Sequence, residues 1–224
     1  MRSLGLAGDT PLRRVLAIGA HSDDLELGCG GTVLALTRAN PGLAVDWVVL
    51  AAEGDRADEA RRCADVVLAE AGERSVEVHG FRDGYLPHAA ADVKDAFEAL
   101  KSRPAPDLVL THTRDDLHQD HRLVCELTWN TFRDHLILEY EIPKWDGDMG
   151  RPNLYVPLDA RVVEEKLELL GQHFETQRGK HWYDVEVFRG LMRIRGMECR
   201  SPSGYAEAFV ARKLSIQPGV GGRS

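Results

Sequence analysis

The chain has 224 residues, 43% of them apolar and 29% charged, which suits one globular domain with a sizeable core. Its formal charge of −8 excludes the basic face that general binding to a phosphate backbone requires. No stretch is apolar for long enough to span a membrane, and the first ten residues lack the apolar centre of a secretory signal. The four cysteines lie far apart with no CxxC pair, so reduced thiols and a cytoplasmic location are expected.

Residues 14–19 form an aliphatic run ended by small residues, the pattern of a buried strand. Ala20-His21-Ser22-Asp23-Asp24-Leu25-Glu26-Leu27-Gly28 follows, then Gly30, Gly31 and Thr32, then an apolar run with helical character. A strand thus delivers a histidine and two consecutive carboxylates into a Gly-rich turn before a helix. In an open α/β sheet such turns lie at the carboxyl ends of the strands, where ligands bind. His21 and Asp24 are residue types that hold zinc or another divalent transition ion. Asp23 points elsewhere, so its carboxylate stays free to act as a general base. The plainer alternative is a charged loop in which Asp23 or Asp24 caps the helix.

Residues 43–51 repeat the buried-strand pattern, and the strand–helix–strand order predicts a βαβ unit in a parallel sheet. The polar loop after them opens a helix running to about residue 71 and ended by Gly72. Arg56 falls on the same rim as His21, although its spacing to Glu59 is that of an ordinary i,i+3 ion pair. A short strand at 75–78 leads into a turn-rich loop containing Asp83-Gly84. Residues 91–100 form a helix with Val93, Phe97 and Leu100 on one face.

Residues 107–111 are another buried strand, and they deliver His112-Thr113-Arg114-Asp115-Asp116-Leu117-His118-Gln119-Asp120-His121. Three histidines and three aspartates in ten residues are poor material for a core. His118 and His121 share a face on the first turn of a helix. One of them could complete a His-Asp-His site with His21 and Asp24, leaving the open position of a catalytic zinc. The other would stand beside it, able to donate a proton or polarise a carbonyl.

Farther on, 136–143 is strand-like, and 144–153 is a Gly/Asp/Pro-rich loop in which Trp145 either forms a substrate wall or anchors a surface loop. Residues 159–170 read as an amphipathic helix capped by Asp159 and stopped at Gly171, and 186–195 as a further helix. His173, Gln177, His181, Trp182 and Tyr183 make a polar aromatic patch between them. With no repeat and no second boundary, a single domain over 1–224 is expected, with loose tails at 1–12 and 217–224.

The stretch from Ala20 to Thr32 resembles the AHPDDxExxxGGT motif of the PIG-L/LmbE-like zinc-dependent N-deacetylases, and His118-Gln119-Asp120-His121 resembles their HPDH or HxDH motif. Tyr205-Ala206-Glu207-Ala208-Phe209-Val210 resembles the closing strand region of that family. Ser22 and Gln119 stand where the family has proline, with little consequence expected. The resemblance implies a three-layer, Rossmann-like α/β sandwich with a mainly parallel central sheet. It implies zinc held by His21, Asp24 and His121, with Asp23 as the general base. His118 would stabilise the oxyanion and protonate the leaving amine, and Asp120 would orient a histidine. Arg56 and Asp83 would contact the substrate, with Trp145 as a further wall.

The implied reaction removes an N-acetyl group from an amino sugar or sugar conjugate, giving acetate and a free amine. The nearest alternative is a metal-dependent hydrolase of a non-sugar amide on the same fold. The expected partner is a small N-acetylated sugar or glycoconjugate, with no nucleic acid and no membrane span; a homo-oligomer is left open. A dinucleotide-binding module fails because Val33 occupies the last Gly position of GxGxxG. A non-catalytic metal-binding protein would have no use for Asp23.

Overall fold

A computed structural model describes residues 11–215. The tail expected at 217–224, and most of the one expected at 1–12, lie outside them, while Leu12 is buried in the core. The elements are β1 (Arg14–His21), α1 (Asp24–Ala39), β2 (Ala44–Ala51), α2 (Asp55–Val67), β3 (Glu73–Val78), α3 (Ala90–Lys101) and β4 (Leu108–His112). Then follow α4 (Gln119–Thr131), β5 (Leu136–Tyr140), β6 (Leu154–Pro157), α5 (Ala160–His173), α6 (Val185–Cys199) and β7 (Ala206–Val210).

The strands form one sheet in the order β3-β2-β1-β4-β5-β7-β6. β1 to β5 run parallel to one another, and β7 runs antiparallel to β5 and β6. The aliphatic runs are continuous because both faces of the sheet are covered. Along β1, Val15 and Ala17 join one buried cluster, while Leu16, Ile18 and Ala20 join the other. The first cluster carries side chains of α1, α2, α5 and α6; the second carries those of α3 and α4. This is the three-layer sandwich with a mainly parallel sheet.

The chain steps outward from β1 to β2 to β3, then returns to add β4 and β5 on the far side of β1. Strand order therefore reverses between β1 and β4, which is where an open α/β sheet forms its ligand crevice. β1 ends at His21 and β4 ends at His112, so both motif loops start at that point.

Two expectations about the elements change, and one strand was not anticipated. α2 ends at Val67, not near residue 71; Gly72 instead packs on Gly42, whose Cα would lie 2.4 Å from a Cβ placed there. The Gly72 N–H donates to the Leu43 carbonyl at 2.9 Å. The glycine is needed for close backbone approach, not to end a helix. α5 continues through Gly171 to His173, because packing of Leu167, Leu169 and Leu170 outweighs the low helix propensity of one glycine. β6 is short and pairs only with β7, which makes it an edge strand and accommodates Pro157. Among the described residues no helix is long and apolar enough to cross a membrane.

Candidate metal centre and active site

At the switch point the strand ends bring three donor atoms together. His21 Nδ1 lies 3.1 Å from His121 Nε2 and 3.3 Å from Asp24 Oδ2, and His121 Nε2 lies 3.5 Å from the same oxygen. Ligands about 2.0–2.1 Å from a tetrahedral zinc stand roughly 3.3–3.4 Å apart, so the triangle has the dimensions of one face of such a site.

The ring orientations follow from what holds each ring from behind. His21 Nε2 is 3.1 Å from an oxygen of the buried Asp120, and His121 Nδ1 is 2.8 Å from Asp116 Oδ2. Each carboxylate is placed to accept a hydrogen bond from the ring nitrogen that faces it, which aims His21 Nδ1 and His121 Nε2 at Asp24. Two ring nitrogens and a carboxylate oxygen at these distances need a proton or a metal ion among them. The donor set thus fits a divalent transition ion, with carboxylates orienting both histidines.

The charges agree with that role at His121 and Asp24. At His21 burial works to lower the ring, but the charge of Asp24 and hydrogen bonds to Asp120, Asp24 and Asp83 outweigh it and hold the ring well above the usual imidazole range. A metal ion would have to displace a proton there. Burial, with His112 nearby, pushes His121 down to about 4, which keeps it neutral and able to ligate. Burial works to raise Asp24, but the surrounding His121, His112 and His21 hold it well below the usual carboxylate range.

Asp23 stands at the N-cap position of α1, yet its side chain makes no capping hydrogen bond. Its Oδ2 is buried with no partner. Burial, then the charge of Asp24, raises its carboxyl to about 6, against the pull of Arg56 and His21. His118 caps α4 by accepting the Asp120 N–H on Nδ1 at 3.3 Å, which leaves its proton on Nε2. Its ring centre lies 4.8 Å from that of His21 and 4.6 Å from that of His121.

Asp120 has a double duty. Besides holding His21, it accepts the backbone N–H groups of Gly84 at 2.8 Å and Leu86 at 3.1 Å, so it also fastens the loop bearing Asp83. Asp83 Oδ1 stands 3.1 Å from His21 Nε2, and its other oxygen pairs with Arg56. Arg56 therefore does not pair with Glu59, which accepts the Thr176 N–H at 2.9 Å and hydroxyl at 2.6 Å instead. The two proline replacements have consequences that were not expected. Ser22 Oγ accepts from Arg56 Nε at 3.3 Å, and Gln119 Nε2 donates to the Gly84 carbonyl at 3.1 Å. Both tie motif loops to the Arg56–Asp83 pair.

Trp145 stands apart from this cluster, 68% exposed and edge-on to Trp182 at 6.4 Å. Its neighbour Lys144 connects it to the centre, reaching Asp116 Oδ1 at 3.0 Å and pairing with Asp148. Among the described residues three further combinations could hold a metal, His21–His118–His121, Asp24–His112–His121 and His21–Asp83–Asp120; all share members with the His21–Asp24–His121 triangle and none uses the His173–Tyr183 patch.

Sequence reasoning missed two members. His112 ends β4 with Nε2 3.2 Å from Asp24 Oδ2 and its ring stacked on His121, centres 3.9 Å apart. Asp116 orients His121 and also accepts the His118 N–H at 2.8 Å. Their only signal was membership of the ten-residue cluster.

A mainly parallel α/β sheet with a candidate His/Asp cation site at its switch point defines the class of the protein. More narrowly, the chain belongs to the PIG-L family, whose model, described as GlcNAc-PI de-N-acetylase, matches residues 16–132. A curated relative, the uncharacterized deacetylase YaiS of Escherichia coli (strain K12), is 28% identical over 173 residues, covering 71% of this chain and 89% of that protein. Two solved structures share the fold. The N,N'-diacetylchitobiose deacetylase of Pyrococcus horikoshii superposes with a TM-score of 0.65 at 20% identity, over 88% of this chain and 83% of that one. GalB, the 4-carboxy-2-hydroxymuconate hydratase of Pseudomonas putida KT2440, gives 0.70 at 17% identity, over 93% of this chain and 100% of that one.

Proposed function

We propose that this protein is a zinc-dependent N-deacetylase that hydrolyses the acetamide of an amino sugar or sugar conjugate. The observation that carries the reading is the convergence of His21 Nδ1, Asp24 Oδ2 and His121 Nε2 beside the unpartnered carboxylate of Asp23. The naming of YaiS and the chitobiose enzyme as deacetylases supports the same activity, whereas GalB is a reminder that the fold alone does not select a reaction.

His21, Asp24 and His121 would hold the ion, which supplies a Lewis acid and brings the pKa of a water toward ~7. Asp23, buried and uncommitted, takes the proton of the attacking water as oxygen bonds to the acetyl carbon. His118 directs its Nε2 proton at the oxygen where negative charge develops. The C–N bond breaks as the nitrogen takes a proton from His118, and the proton held by Asp23 replaces it. Acetate and a free amine leave, and one water is consumed. Arg56, Asp83 and Trp145 border the approach and contact the sugar. The four cysteines are free and buried, which suits work in the reducing cytoplasm.

The test is acetate release by protein stripped of metal and then reloaded with zinc, on a panel of N-acetylated amino sugars and non-sugar acetamides. Zinc-dependent release from the sugars is expected. Release from the non-sugar amides alone would transfer the reaction to another substrate class, and a chain that binds no metal would end the proposal.

A further inference from the structure

We infer that Lys144 is a positioning residue of the proposed metal centre. It clamps Asp116 in the orientation that aims His121 at the ion, and it ties metal affinity to the seating of the 141–153 loop. The role rests on the metal ligands of the deacetylase reading and adds to them a residue that bonds to neither ion nor substrate.

Lysine is among the residue types least often buried, and a buried one needs partners. The Lys144 side chain is only 9% exposed. Its ammonium lies 3.0 Å from Asp116 Oδ1 and pairs with Asp148, so it points inward and is committed to two carboxylates. Those carboxylates belong to different segments. Asp116 precedes α4, where its Oδ2 meets His121 Nδ1 at 2.8 Å and its Oδ1 accepts the His118 N–H at 2.8 Å. Asp148 lies in the loop after β5, and its Oδ2 accepts the Leu117 N–H at 2.7 Å. One cation and one hydrogen bond therefore fasten the 144–148 turn to the 116–118 turn. Gly147, at φ 66°, takes the left-handed conformation that brings Asp148 back to Lys144.

The charges explain why a cation stands there. Asp116 and Asp148 are both buried, with 2% and 5% of their side chains exposed. Two buried carboxylates on facing turns repel, and removing the ammonium between them leaves both uncompensated. Burial works to raise the Asp116 carboxyl, yet His121, His112 and Lys144 hold it well below the usual range. It thus stays an ionised acceptor for the His121 ring. Among the described residues, Lys144 is the one side-chain partner of this carboxylate from outside residues 116–121. Without it, only near neighbours in the chain fix the angle at which Asp116 meets His121.

The test is zinc affinity, read by competition against a chelating dye with no sugar present. Lys144→Gln, close to lysine in length, should weaken binding by ~10-fold, the lower end of what a carboxylate behind a ligating histidine is worth. In an Asp116→Asn background the same substitution should cost less than ~2-fold, because Lys144 acts through that carboxylate. Lys144→Arg keeps the cation and should bind zinc more tightly than Lys144→Gln. Melting of the metal-free proteins checks that each variant folds; a lysine that only stabilised the loop would lower Tm and leave the affinity alone. Amide exchange gives a second reading: zinc should slow exchange at 145–149 in the unsubstituted chain and leave it unchanged in Lys144→Gln, since coupling is reciprocal. An affinity indifferent to Lys144→Gln, equal losses in both backgrounds, or exchange unmoved by zinc in the unsubstituted chain would overturn the clamp. Zinc binding that follows the expected pattern with no acetate released would keep the clamp and remove the deacetylase. Acetate release with an affinity indifferent to Lys144 would do the opposite.

Discussion

Asp23 is a carboxylate the fold keeps idle. It is buried, caps nothing and has one oxygen without a partner. A base must be ionised to work, so with its carboxyl near 6 the rate should fall as the pH drops below that value. Asp23→Asn should retain one metal per chain and lose roughly 10²–10⁴ in kcat, and undiminished turnover would remove it as the base. Asp116 acts one step back. Asp116→Asn should weaken zinc binding by about 10–100-fold while Asp23 and His118 stay in place, measured by competition against a chelating dye. These two residues differ in how visible they were. His21, Asp23 and Asp24 could be singled out because a strand end brings their residue types to one rim, whereas the choice of His121 over His118 came only from the family resemblance. His112 could not, since it meets Ala20 and Asp24 only when β1 packs on β4, and Asp116 could not, since the course of the loop before α4 decides which carboxylate faces His121. The same holds for Ser22 and Gln119, whose bonds run to Arg56 and Gly84 on other loops.

At the scale of one element, α1 explains the glycines that resemble a phosphate loop. A Cβ on Gly28 would come within 2.2 Å of the Tyr140 ring, and one on Gly31 within 2.7 Å of Leu158 and 2.9 Å of Glu207. The glycines make room for side chains. Glu207 accepts the N–H groups of Gly31 at 2.9 Å and Thr32 at 2.7 Å, while Lys166 donates to the Leu27 carbonyl and pairs with Glu207, both at 2.7 Å. All of this is buried, so Lys166→Met, which strands the Glu207 charge, should cost about 3–5 kcal/mol in denaturant unfolding. Glu26 on the same helix is buried with neither oxygen bonded, and burial raises its carboxyl well above the usual range. The folded state then holds a proton that the unfolded chain releases, so stability falls as pH rises above the unfolded value. In metal-free protein Glu26→Gln should flatten that decline, which costs at most about 1.4 kcal/mol per pH unit. Melting at pH 5 and pH 8 would show it, and parallel declines in both proteins would count against a protonated Glu26.

For the whole molecule, the parallel half of the sheet was legible because aliphatic runs alternate with helices, and such runs permit few arrangements. The antiparallel end was not, as β6 is four residues long and pairs only with a strand some fifty residues later. The metal should also be felt globally. An ion that binds only the folded chain adds about 2.7 kcal/mol at a hundredfold excess over its Kd, and for a chain of this size that raises Tm by about 5–10 °C. A chelator should reverse the shift, and a Tm indifferent to both would argue that the centre holds no ion.

The brace on α1 has a consequence for the order in which a ribosome makes this protein. Every donor of the centre has emerged once His121 is out, so a nascent chain already carries the means to capture an ion. Yet the strand that steadies the helix bearing Asp24 is β7, about eighty-five residues after His121. For the several seconds of synthesis between them, the ligands exist without their support. The proposed centre thus waits for Glu207, a residue outside it.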